Sequence, residues 1–193
     1  MTRVRAALPA RAALLAAAIC ALGLADPPSS ALAEDPPFPG NDRREREAFA
    51  RRVRDQFAAW QAAHPSACGL DPCTLAAQWM AESNWGRSAL ARNARNLGGM
   101  KGKGPAGTYE APTREYEGGV ERATTGGFRR YARLPEFYAD YVALVCEGDR
   151  YQQARGKRGR DYYQALREAG YSTNPRYEEE LMVFYRQIGC EQR

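Results

Sequence analysis

Apolar side chains recur along most of this chain at helical spacing, and in one segment they alternate as in a strand. Phe49, Val53, Phe57 and Trp60 follow one another at intervals of four, four and three, with arginines on the opposite face. That spacing predicts an amphipathic helix over 42–64. A second helix is predicted from Asp71, a capping residue with Pro72 at the first helical position, to about Ser83. Its interior, CTLAAQWMAE, carries only three polar side chains, Thr74, Gln78 and Glu82, spaced four apart. On a helix this makes one narrow polar line on an otherwise apolar cylinder. A helix apolar nearly all round is buried, so the line must face a polar cleft or a buried network.

Further on, Thr113, Glu115 and Glu117 alternate with Arg114 and Tyr116, and glycine pairs stand at 118–119 and 126–127. This predicts a β-hairpin or small β-lobe. Helical signals return in PEFYADYVALVCE, RDYYQALREAG and PRYEEELMVFYRQI, with Gly170 ending the second and Pro175 opening the third. The class expected is α+β, mostly helical, with one β insertion and no internal repeat.

The first 33 residues follow a different logic. Arg3, Arg5 and Arg11 precede an apolar run from Ala12 to Ala25, and Ala31-Leu32-Ala33 offers a small-x-small site. The run is shorter than the roughly 20 residues that span a bilayer, so it reads as a cleavable secretory signal, 1–33, cut after Ala33. A proline-rich tether, EDPPFPGN, covers 34–41, either disordered or draped over the surface, and leaves 42–193 as a single domain. Losing Arg3, Arg5, Arg11 and Asp26 takes the 28 basic and 23 acidic residues to 25 and 22, a net charge of +3. Such a surface tolerates an anionic polymer without pointing to nucleic acid.

Export suits the cysteines: Cys68, Cys73, Cys146 and Cys190 remain in the mature chain, an even number in a compartment where disulfides persist. The pairing expected is Cys68 with Cys73, across the loop CGLDPC, and Cys146 with Cys190. A metal centre is not expected, since His64 is the only histidine. No cofactor is required.

Glu82 is the residue that the pattern leaves unexplained. A carboxylate between apolar surfaces is penalised when charged, so its pKa rises, and a carboxyl still protonated near neutral pH is what a general acid needs. Trp79 and Trp85 are the expected dry walls.

Five blocks, AAQWMAESNWGRSALA, NLGGMKG, TREYEGG, FRRYARLPEFYADYVALV and ALREAGYSTNPRYEEEL, occur in the order found in the glycoside hydrolase family 73 β-N-acetylglucosaminidases, which include the domain of flagellar peptidoglycan hydrolases. The chain resembles this family over about residues 70 to 185. The resemblance implies a lysozyme-like fold with a small β-hairpin lobe, and cleavage of the β-1,4 bond between N-acetylglucosamine and N-acetylmuramic acid in peptidoglycan. By the same resemblance, Glu82 matches the general acid of the E-S-x-W-G block and Glu115 the second glutamate of T-x-E-Y, with Glu110, Glu117 and Glu121 as neighbouring rivals. Tyr171 matches the cleft tyrosine of A-G-Y-A-T-D-P. Two departures stand out: Asn174 replaces the aspartate of that last block, and Gly98 follows Leu97 where the family has an aromatic.

The route could be inverting, retaining or assisted by the substrate's acetamido group. Trp85, Tyr109, Tyr116 and Tyr131 either stack on sugars or fill the core. Asn96 and Lys101 either contact the glycan or hold their loop. With Asn174, the residues Trp85, Asn96, Lys101 and Tyr116 form the expected substrate-binding set. The partners expected are peptidoglycan glycan strands, with no nucleic acid, no membrane insertion after signal removal, and a monomeric state. A muramidase, a lytic transglycosylase or a wall-binding module without turnover is the alternative.

Overall fold

The computed structural model describes residues 34–65, 68–117 and 120–191, the side chains of 114–122 excepted; the expected signal segment lies outside these residues. Among the described residues, six helices and one hairpin are formed: α1 (Arg43–Ala63), α2 (Pro72–Glu82), α3 (Ala89–Ala94), β1 (Thr108–Glu117), β2 (Val120–Arg129), α4 (Leu134–Cys146), α5 (Gly159–Glu168) and α6 (Tyr177–Gln187), with a 3₁₀ turn at Asp149–Ala154 before α5. The fold is mostly helical with a two-stranded antiparallel sheet, as the pattern predicts.

Local chemistry sets the helix boundaries. Asp42 caps α1 by accepting from the Arg44 and Glu45 amides at 2.8 and 3.1 Å, and Asp71 caps α2 by accepting from the Thr74 amide at 2.9 Å. Every residue of α2 from Cys73 to Met80 is buried, because α1, α5 and α6 all pack on it. Around it lies an aromatic core: Trp79 stacks on Tyr138 with centroids 5.3 Å apart and meets Phe57, Phe137 and Tyr141 edge-on.

The tether is draped and fastened. Asp35 accepts from the Leu134 amide at 2.7 Å, capping α4 from 99 residues away, and pairs with Arg95 at 2.6 Å. Phe38 lies 5.2 Å from Phe49.

The disulfides correct the expected pairing. Cys68 joins Cys146 and Cys73 joins Cys190, with Cα separations of 5.6 and 5.8 Å. The loop CGLDPC has other work: Leu70 enters the core and Asp71 caps α2. Cys73, in the first turn of α2, therefore meets the chain leaving α6, while Cys68 meets the end of α4. The bridges tie three elements together where a local clip was expected.

Candidate active site

The segment after α2 places Glu82. Ser83 is 1 % exposed; its hydroxyl donates to the Trp79 carbonyl at 2.6 Å and accepts from the Gly86 amide at 2.7 Å. Asn84, Trp85 and Gly86 then take three successive left-handed conformations, with φ of 51, 61 and 76°. Trp85 is disfavoured there by about 1–2 kcal/mol, whereas an asparagine such as Asn84 enters this region more readily. Gly86 is required on a second count, since a Cβ there would lie 2.3 Å from Phe49 Cε1. The chain thus turns sharply away from the helix end, and Glu82 stays beside an open groove.

Behind Glu82 the polar line of α2 engages a buried network. Tyr177 donates to Glu82 Oε1 at 3.1 Å, Gln78 Nε2 donates to the Tyr177 hydroxyl at 3.0 Å, and Tyr141 donates to Gln78 Oε1 at 2.6 Å. The Tyr141 and Tyr162 hydroxyls are 3.3 Å apart, and with the Tyr141 proton committed to Gln78, Tyr162 donates. Every donor in this relay points toward Glu82, and its last link favours the carboxylate. Thr74 takes the third polar position, donating to Asp71 at 2.6 Å and accepting from the Gly159 amide at 2.8 Å.

The Glu82 side chain reaches solvent through the groove, yet protein crowds it on its other sides. This burial raises its pKa above the ordinary carboxylate range, while the Tyr177 hydrogen bond pulls more weakly the other way. Its place at the C-terminal end of α2 also disfavours the charge. Burial drives the Tyr171 phenol well above its usual range, reinforced by the Glu82 charge.

Glu82 sits between two depressions. The larger, about 390 Å3, is bounded by Gly98, Met100, Leu144, Arg150, Tyr151 and Tyr171, among others. The second, about 360 Å3, is lined by residues that include Asn174, Tyr177, Leu181 and Phe184. Glu82 borders both, so one carboxyl faces an elongated groove with room on either side.

A family model described as mannosyl-glycoprotein endo-beta-N-acetylglucosaminidase matches residues 53–189. The chain belongs to this glucosaminidase family. Among relatives, the peptidoglycan hydrolase FlgJ of Pseudomonas aeruginosa is 32% identical over 128 residues, covering 62% of this chain and 32% of that protein. The chain therefore spans about a third of that relative's length. A peptidoglycan hydrolase mutant from Sphingomonas sp. A1 superposes with a TM-score of 0.60 at 30% identity, covering 74% of this chain and 92% of the other. The glycoside hydrolase domain of Salmonella typhimurium FlgJ, C-terminally truncated, gives 0.56 at 29% identity, covering 74% and 97%.

Against this family frame, the residues singled out from the sequence divide into groups. Glu82, Tyr171 and Lys101 border the larger depression and Asn174 the smaller. The Tyr171 hydroxyl donates to the Gly98 carbonyl at 2.9 Å, where the family's aromatic is absent. Glu115 lies on β1 with its backbone opposite Arg122, and Tyr116 opposite Glu121; their side chains lie outside the described residues.

Three of the expected residues lie elsewhere. Asn96 is 1 % exposed and spends its amide on Met100 and on the Arg129 carbonyl, so it holds its loop from within. Trp85 packs on Phe184 at 5.0 Å under the Arg46 guanidinium, turned from the groove by the left-handed run. Trp79 is a core residue, leaving Tyr171 and Tyr177 as the aromatic walls of Glu82. Tyr131 is also core, donating to Asp140 at 2.7 Å, and Tyr109 accepts from Asn93 at 3.1 Å. Sequence reasoning missed Tyr177, Arg150 and Tyr151. The only signal for Tyr177 was its place in the first turn after Asn174-Pro175.

Proposed function

We propose that this chain is an exported peptidoglycan hydrolase, an endo-β-N-acetylglucosaminidase that cuts the β-1,4 bond between N-acetylglucosamine and N-acetylmuramic acid. The observation that carries this is the state of Glu82 in a member of the glucosaminidase family: a carboxyl of raised pKa, with Oε1 held by Tyr177, at the junction of two depressions.

A strand laid across that junction brings a glycosidic oxygen to Glu82, which protonates it as the bond to the anomeric carbon breaks. Positive charge then develops on the sugar ring. Glu115, the counterpart of the family's second glutamate, activates the water that captures it. Tyr171 has committed its proton to Gly98 but keeps acceptor capacity, which suits it to receive the N–H of the sugar's acetamido group. Export is supported by the signal-like first 33 residues and by two disulfides. Single-domain organisation over 42–193 and a monomeric state complete the proposal.

Product analysis tests it. Purified mature protein on purified peptidoglycan should release fragments whose new reducing ends are N-acetylglucosamine. New muramic acid ends would make it a muramidase, anhydromuramic ends a transglycosylase, and retention of glycan without products a binding module.

A further inference from the structure

The two depressions beside Glu82 differ in charge. Among the described residues, the larger carries the cations Lys101, Arg129 and Arg150 and one acid, Glu82. Among the described residues, the smaller is lined by no cation and includes Glu180, with Leu181 and Phe184 as apolar wall. Of the three cations, Arg129 is paired with Asp140. Arg150 is held differently. Its Nε donates to the Ala169 carbonyl at 2.9 Å, its Nη2 to the Gly170 carbonyl at 2.8 Å, and its guanidinium lies 5.3 Å from the Tyr151 ring centroid. Neutral carbonyls and a ring fix its direction without cancelling its charge, and a guanidinium with five N–H donors has others left to give.

We infer that Arg150 is a specificity residue that receives a carboxylate carried by the muramic residue of the strand, so the acid-bearing sugar occupies the larger depression and the neutral N-acetylglucosamine the smaller. This rests on the glucosaminidase function proposed above, and it sets the direction in which the strand lies. Cleavage on the reducing side of N-acetylglucosamine makes the muramic residue the leaving group, so the depression at Arg150 is the leaving-group side of Glu82. The carboxylate has two sources, the lactyl group of a peptide-free strand or the acids of a stem peptide.

The test compares strands with and without their charge. Peptide-free strands and peptide-bearing strands are each used as such and after methyl esterification, and binding is measured by titration of the Glu82→Gln protein. Esterification should weaken binding about fivefold for the strand type whose carboxylate is read. In a protein that also carries Arg150→Gln, esterification should make no difference, while Arg150→Lys should restore part of it. Loss confined to peptide-free strands assigns the lactyl carboxylate, and loss on peptide-bearing strands assigns the stem. A purely structural role of Arg150 in holding the 169–170 loop would weaken charged and esterified strands alike, and that result, or no effect of esterification on the Arg150 protein, overturns the inference. Turnover by the Glu82→Gln protein would instead count against the proposed general acid, so the two failures are told apart.

Discussion

At the scale of single residues, Glu82 carries a conflict that its neighbours moderate. Burial opposes its charge and the Tyr177 hydroxyl supports it, burial being the larger effect. A carboxyl whose folded pKa is raised binds its proton more tightly in the folded state. Its effect is therefore a loss of stability as pH rises from the ordinary carboxylate range through the raised value. Glu82→Gln should be more stable than the parent above that window and equal to it below, which thermal unfolding at several pH values would show. Tyr177→Phe removes the bond that favours ionisation, so the Glu82 pKa rises further. Activity that needs protonated Glu82 should then persist to higher pH, and the alkaline limb of the kcat/KM profile should move upward. An unmoved or lowered limb would show that another group sets it. Glu82 was legible as a candidate because one polar residue ending an apolar helix is a local pattern. Tyr177 was not, since only the packing of α6 on α2 brings it there.

At the scale of elements, α2 and the turn that follows it form the platform of the site. Thr74, Gln78 and Glu82 could be read as one line because helical period is a property of consecutive residues. The fate of Trp85 could not, because a run of three left-handed residues reverses direction without leaving a periodic trace. Gly86 is the most demanding position in that run. Gly86→Ala adds a methyl against Phe49 and strains a residue at φ 76°, a combined cost of about 2–4 kcal/mol. Chemical denaturation would measure it, and a change below about 0.5 kcal/mol, the size usual for an undemanding surface position, would contradict the tight approach.

At the scale of the whole molecule, the elements around the groove come from distant parts of the chain and are fastened by long-range ties. Class, hairpin and the helices α1, α2, α4, α5 and α6 were legible, since each depends on local patterning, whereas the six-residue α3 (Ala89–Ala94) was not expected. The disulfide pairing was not, because it depends on which helix ends meet in space. Cys68–Cys146 and Cys73–Cys190 close separations of 78 and 117 residues. Taken singly, loops of that size are worth about 4–5 kcal/mol in the chain-entropy picture. Proteolytic mapping without reduction should recover these two pairs, and a Cys68–Cys73 peptide would contradict the fold described.

The groove, the relay and the aromatic core all converge on the proton donor proposed at the end of α2. Turnover of purified peptidoglycan by the Glu82→Gln protein tests that convergence most directly. Release of new N-acetylglucosamine ends should fall by about 10²–10⁴-fold, with the thermal transition at neutral pH unchanged or raised. Full release by a folded Glu82→Gln protein would contradict the assignment of Glu82 as the general acid.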